Sequence, residues 1–230
     1  FVPVDKIPDK VKQAFISAED KNFYRHSGLD YKGIARAALG NIAGMFSGRR
    51  PSGASTITQQ VAKNFLLTPE VSYKRKIKEA LLAFRIEDAF SKSHILELYL
   101  NEIYLGNRSY GVASAALNYF GKPLDKLNLE EMAYLAALPK GPNNYNPKKH
   151  MERAVARRNW VLERMAADGY ITEDEAAQAQ AKPLVTLDRN NEFIKDAQYF
   201  SEEVRRRVTK RFGEDALYCL LYTSPSPRDS

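Results

Sequence analysis

Four places in this 230-residue chain carry side chains that could do chemistry. The densest runs from Glu19 to Asp30, Glu-Asp-Lys-Asn-Phe-Tyr-Arg-His-Ser-Gly-Leu-Asp, and holds three carboxylates, a histidine, an arginine and a lysine. An acid pair that ends an apolar helix (Val11, Phe15, Ile16) suits general-base chemistry, because its surroundings can raise one carboxylate's pKa while neighbours hold the side chain in place. The same residues also read as a solvated helix end followed by a glycine turn. The second place is Gly53-Ala-Ser-Thr-Ile-Thr-Gln-Gln-Val-Ala-Lys-Asn64. A glycine loop leads there into hydroxyl residues at a helix start, with Lys63 about two turns on. Unpaired first-turn N–H groups and the positive helix end make this an anion site, worth on the order of 1 kcal/mol from the dipole. Simple N-capping by Ser55 or Thr56 is the other reading.

The third place is Glu79 inside an apolar helix, with Arg75 one turn earlier on the same face. A carboxylate in such a setting must be paired or face a polar cavity. An Arg75–Glu79 ion pair satisfies this, and so does a cleft in which both handle a charged ligand or metal. The fourth is the turn Pro139-Lys-Gly-Pro-Asn-Asn-Tyr-Asn-Pro147, which presents Lys140 beside a glycine.

Helices must position these groups. Period and caps predict helices over Asp9–Asp20, over Tyr31–Met45 with Asp30 as N-cap, from Ser55–Thr56 onward, and over Tyr73–Phe90 after a Thr68-Pro69 start. The middle of Tyr73–Phe90 (Ile77, Ala80, Leu81, Leu82, Ala83, Phe84, Ile86) is apolar on nearly every side and is expected to be buried. Further helices are predicted over Lys92–Gly106, 111–121 and Leu129–Leu138, the last opened by an Asn128/Glu131 capping box. A basic amphipathic helix Met151–Asp168 closed by Gly169, and a short one capped by Thr172 and Glu175, complete the set. Tyr99, Asn101 and Tyr104 are assigned to scaffold. No convincing strand pattern precedes residue 183, so the expected fold class is all-α. From Lys182 the texture changes to an extended stretch, a polar stretch and a charged helix over Tyr199–Phe212.

Composition narrows the field. The chain is 44% hydrophobic and 27% charged, with a net charge of +7, which points to an anionic partner. With 13 tyrosines beside 35 basic residues, nucleic acid is a candidate to test. A single cysteine excludes a disulfide framework and a cysteine-based zinc site, and three scattered histidines offer little for a histidine-based one. No run of 18 or more apolar residues spans a bilayer. The stripe Ile34, Ala38, Ile42, Met45, Phe46, followed by Arg49 and Arg50, fits either a segment dipping into a membrane interface or a core-facing helix with a basic loop.

Taken together, these stretches resemble the peptidoglycan glycosyltransferase domain of class A penicillin-binding proteins, glycosyltransferase family 51. Residues 19–30 match its Glu-Asp-x-x-Phe-x-x-His-x-Gly-x-Asp motif, and residues 53–64 match Gly-x-Ser-x-x-Thr-Gln-Gln-x-x-Lys-Asn. Arg75-Lys76-x-x-Glu79 matches the third motif, residues 92–106 the fourth, and Lys140 with Tyr145-Asn-Pro147 the fifth. The resemblance covers about 180 residues and implies a lysozyme-like all-α fold with a small membrane-facing lobe near residues 35–55. It implies a glycosyltransferase domain over residues 1–187 and a linker over 188–218 toward a transpeptidase domain; residues 219–230 fit neither part and read as an aberrant tail. Ser-x-x-Lys and Lys-Thr-Gly motifs do not occur in these residues, so penicillin binding is not claimed for them.

The implied activity is an inverting lipid II polymerase that forms β-1,4-linked glycan and releases undecaprenyl pyrophosphate. In this reading Glu19 is the base, and Glu79 assists directly or as a metal ligand. Ser55, Thr56, Gln60, Lys63, Arg75 and Lys140 bind the pyrophosphate, while Asp20, Phe23 and His26 shape the site. A divalent cation (Mg²⁺ or Mn²⁺) and no organic cofactor are implied. The implied partners are lipid II, the nascent glycan strand, an anionic membrane surface and cell-wall synthesis proteins, with no nucleic acid among them. The implied location is the outer, periplasmic face of the bacterial cytoplasmic membrane, within a longer anchored protein. The alternative is a lysozyme-like lytic transglycosylase or hydrolase, which would have no use for a phosphate site.

Overall fold

A computed structural model describes residues 1–37, 55–66 and 73–187. The expected loop over 47–53, most of the lobe near 35–55, the Thr68-Pro69 start, the 188–218 linker and the 219–230 tail lie outside them. Residues 1–187 form one compact unit. Among the described residues the regular structure is helical, apart from one isolated antiparallel bridge between Tyr104 and Tyr110. No described helix is long and apolar enough to cross a membrane.

The helices are α1 (Asp9–Glu19), α2 (31–37), α3 (Ile57–Leu66), α4 (Tyr73–Ala89), α5 (Lys92–Glu102), α6 (Val112–Phe120), α7 (Leu129–Ala137), α8 (Pro147–Ala167) and α9 (Glu173–Ala181). The centre is α7, where Met132 to Leu138 are buried in an unbroken run. A helix apolar all round belongs in a core, and α1 and α8 pack against it. Helix α3 packs on α4 and α5. The site therefore forms where the end of α1 meets the start of α3, with α8 alongside.

Caps end or open the helices where the sequence supplies them. Both the Asn128/Glu131 and the Thr172/Glu175 capping boxes form. Asp30 opens α2 by accepting the Gly33 N–H at 3.0 Å. Asn101 is scaffold as expected: its side chain accepts the Val2 N–H and donates to the Val2 carbonyl, tying the chain's start to α5.

Three expectations need correction. Helix α4 is not buried all round: Glu79, Ala83 and Ile86 face inward, while Ile77 and Leu81 are 63% and 59% exposed. The buried stripe follows one face of the helix, which packs on α3 and α5. Helix α5 ends at Glu102 instead of Gly106. Asn107 and Arg108 both adopt positive φ, 48° and 55°, and turn the chain back so that Tyr104 bridges Tyr110. Helix α8 begins at Pro147, four residues before Met151, because Asn146 caps it and Pro147 suits its first position; the kink at His150 (φ −144°, ψ 56°) hides this early turn from the periodicity.

Candidate active site

Glu19 is the last residue of α1 and stands partly buried in the wall of a cavity of about 530 Å³. Asp30, Arg36, Ser55, Trp160 and Arg164 line the same cavity. The Gln60 side-chain amide donates to Glu19 Oε2 at 2.9 Å. Burial pushes the Glu19 pKa up, and the Gln60 hydrogen bond and the charges of Arg157 and Lys140 partly offset this. The result is a carboxylate fixed at one oxygen, more basic than usual and facing open space. Those are the properties a general base requires.

Asp20 turns the other way, into the protein. Its Oδ2 accepts the Ile57 N–H at 3.0 Å, at the start of α3, and lies 2.9 Å from His26 Nε2. His26 Nδ1 accepts the Gly28 N–H at 3.2 Å, which leaves Nε2 to carry a proton toward Asp20. Gly28 has φ 96°, and a Cβ there would meet the Ala83 backbone at 3.0 Å, so glycine is needed for both conformation and space. Phe23 is fully buried, with its ring edge-on to His26 and the Lys92 ammonium 4.5 Å from its centroid. Asp20, Phe23 and His26 together form a joint between α1 and α3.

The start of α3 differs from a free anion cradle. Thr56 is buried; its hydroxyl donates to the Gly28 carbonyl at 2.6 Å and accepts the Gln59 N–H. The Gln59 side chain in turn accepts the Thr56 N–H at 3.0 Å, which completes a capping box. With Asp20 on the Ile57 N–H, the helix end is served by the protein's own groups. Thr56 thus caps α3, the second of the two readings of this helix start. Gln60, on the next turn, holds Glu19.

Two cationic groups of α4, Arg75 and Lys76, are held near this end by Glu79. Glu79 is 2% exposed; its Oε1 lies 3.1 Å from Arg75 Nε, and its Oε2 accepts from Lys76 Nζ at 2.7 Å. Lys76 also donates to Ser55 Oγ at 3.0 Å. Glu79 therefore pairs with Arg75, as one sequence reading had it, and through Lys76 reaches the cavity wall at Ser55. Lys63 is exposed on α3, one turn beyond Gln60. Lys140 lines a second cavity of about 560 Å³ with Tyr145, Arg153, Arg157 and Trp160.

A resident metal fits these residues poorly. Both Glu79 oxygens already face cations, and no group of three or more candidate ligands occurs among the described residues.

Sequence reasoning named Lys76 in the third motif without giving it a role, and missed a stripe on α8. Arg153, Arg157, Trp160 and Arg164 follow one another at spacings of four, three and four, which places them on one helix face, and all line the two cavities. That spacing was available as a signal, but basic and amphipathic character alone does not single these positions out. Arg158 shows the difference: it is 1% exposed and donates to the Lys182 and Gln180 carbonyls, securing the end of α9.

Comparison with known proteins identifies the family. The sequence profile described as "Transglycosylase" matches residues 1–166. Penicillin-binding protein 1A of Rickettsia bellii is 51% identical over 219 residues, covering 95% of this chain and 28% of that protein. Penicillin-binding protein 1A of Escherichia coli is 51% identical over 94% of this chain and 25% of its own length. The chain thus spans about a quarter of these relatives. A crystal structure of penicillin-binding protein 1A from Haemophilus influenzae is 30% identical, covering 93% of this chain and 21% of its own, with a TM-score of 0.48. The chain belongs to the transglycosylase family, the peptidoglycan glycosyltransferase domains that its five motifs resemble.

Proposed function

We propose that this chain polymerises lipid II. Glu19 takes the proton from the acceptor sugar's 4-hydroxyl as that oxygen attacks the anomeric carbon at the reducing end of the growing strand. The new C–O bond is the β-1,4 linkage, and the bond to undecaprenyl pyrophosphate breaks in the same displacement, inverting the anomeric centre. A base so placed supplies about 10²- to 10⁴-fold in rate. Pyrophosphate is already a good leaving group, so its growing charge needs cations more than an acid. Lys63, Arg75, Lys76 and Lys140 are the groups proposed for that task.

The observation that carries this reading is the partly buried Glu19, held by Gln60 in the cavity wall within reach of the Arg157 and Lys140 charges. The lytic or hydrolytic alternative uses one glutamate equally well but gives no purpose to the surrounding cations. Mg²⁺ or Mn²⁺ enters the proposal as a companion of the substrate's pyrophosphate, which suits a cation that keeps most of its waters. No step is routed through it. The anionic face of the cytoplasmic membrane is proposed as the surface on which the reaction occurs, within a longer anchored protein. Exposed Ile77 and Leu81 beside exposed Lys74 and Lys78 support that choice. The nascent strand and cell-wall synthesis proteins are the remaining proposed partners.

Polymerisation of labelled lipid II in detergent, with parent and Glu19→Gln protein side by side, tests the proposal. Polymer from the parent and none from the folded variant is expected. Polymer from both would move the base elsewhere, and cleavage of existing glycan strands by the parent would replace the reading with the lytic one.

A further inference from the structure

Trp160 is the chain's one tryptophan, and the glycosyltransferase chemistry above does not use it. It is 37% exposed, an unusual position for the largest apolar side chain. It lines both cavities, the one with Glu19 and the one with Lys140, and so forms the partition between them. The Arg157 guanidinium lies 3.8 Å from its ring centroid. Arg157 lines the second cavity with Trp160, while Glu19 lines the first with it.

We propose that Trp160 is a sugar-binding platform, on which one ring of a β-1,4-linked N-acetylated amino-sugar strand stacks as it passes between the two cavities. A pyranose presents a face of C–H groups with partial positive charge, and the indole face is negative, so the two pack without needing a hydrogen bond from either. The Arg157 contact holds the indole in place before the sugar arrives, which reduces the ordering cost of binding. A sugar stacked there sits in the same cavity as Glu19, which makes Trp160 a positioning residue for the ring whose hydroxyl is deprotonated.

This inference rests on the proposal that the substrate is a peptidoglycan strand, yet its test is independent of turnover. The single tryptophan allows direct observation. A lipid-free tetrasaccharide of alternating N-acetylglucosamine and N-acetylmuramic acid is titrated into the parent and into Glu19→Gln, with tryptophan emission and calorimetry followed together. A saturable emission change is expected in both, at the concentration at which calorimetry shows binding. Trp160→Ala should weaken binding about tenfold, and Trp160→Phe should retain most of it. Calorimetric binding without an emission change, equal affinity for Trp160→Ala, or no binding by the parent would each overturn the platform. Should Trp160→Ala fail to fold, the emission of the unaltered chain still decides. Glycan binding by a chain that makes no polymer would sink the proposed function and leave the platform standing.

Discussion

Asp20 Oδ2 accepts the Ile57 backbone N–H at 3.0 Å and so fastens the end of α1 to the start of α3. The contact satisfies a first-turn donor and sets a carboxylate against the positive helix end, two favourable terms from one side chain. Asp20→Ala leaves that donor without its acceptor in a buried setting and is expected to cost about 2–3 kcal/mol. Asp20→Asn should recover part of the loss, since an amide oxygen can still accept. Denaturant unfolding of the two variants measures the difference, and parent-like stability for the alanine variant would remove Asp20 from the joint.

Thr56 is expected to act through stability. Thr56→Val deletes the capping box and the hydrogen bond to Gly28, at about 1–2 kcal/mol, whereas Thr56→Ser should stay near the parent. Below the unfolding range, KM for lipid II should be unchanged in both. A raised KM in a fully stable Thr56→Val protein would return Thr56 to the pyrophosphate.

Glu19 should make the protein less stable as pH rises. Its pKa in the folded state is raised above the ordinary 4.5, chiefly by burial, so between those two values the folded state binds more protons than the unfolded state. Stability therefore falls as pH passes up through that window and stays lower above it. Glu19→Gln removes this cost, so the inactive variant should melt higher than the parent at neutral pH and lose its advantage well below pH 4.5. Gln60→Ala deletes a hydrogen bond that favours the charged form; the acid limb of the activity profile should move to higher pH. A limb that stays in place would mean that Glu19 is not the group titrating in it.

Much of this was legible in sequence because it depends on local rules. Caps at Asp30, Asn128 and Thr172 act on the next turn, so their effect is written within four residues. The placement of Glu19 was legible too, since an acid ending an apolar helix has few places to go. What was not legible depends on separations too long for any local pattern. Nothing near Gln60 says that its amide will meet a carboxylate 41 residues earlier, or that Asp20 will cap a helix 37 residues later. The apolar residues Ile77 and Leu81 were misplaced for a related reason: composition tells what a helix could bury, and only its neighbours decide which face is covered.

Glu79 supplies the clearest test of how the cations are organised. It is buried, and it gathers Arg75 and Lys76, the latter also reaching Ser55 in the cavity wall. Glu79→Gln removes the charge that holds both, which should cost about 1–3 kcal/mol in stability because one member of a buried set is left uncompensated. It should also lower kcat/KM for lipid II by about a hundredfold, as loss of a preorganised charge at a developing pyrophosphate does. Lys76→Met should reproduce much of the activity loss with little of the stability loss, since Lys76 is largely exposed. Raising Mg²⁺ distinguishes the two roles open to Glu79. If it organises cations, added metal leaves the Glu79→Gln deficit unchanged. Restoration of the variant's activity by higher Mg²⁺ would instead make Glu79 a metal ligand and overturn its role in organising Arg75 and Lys76.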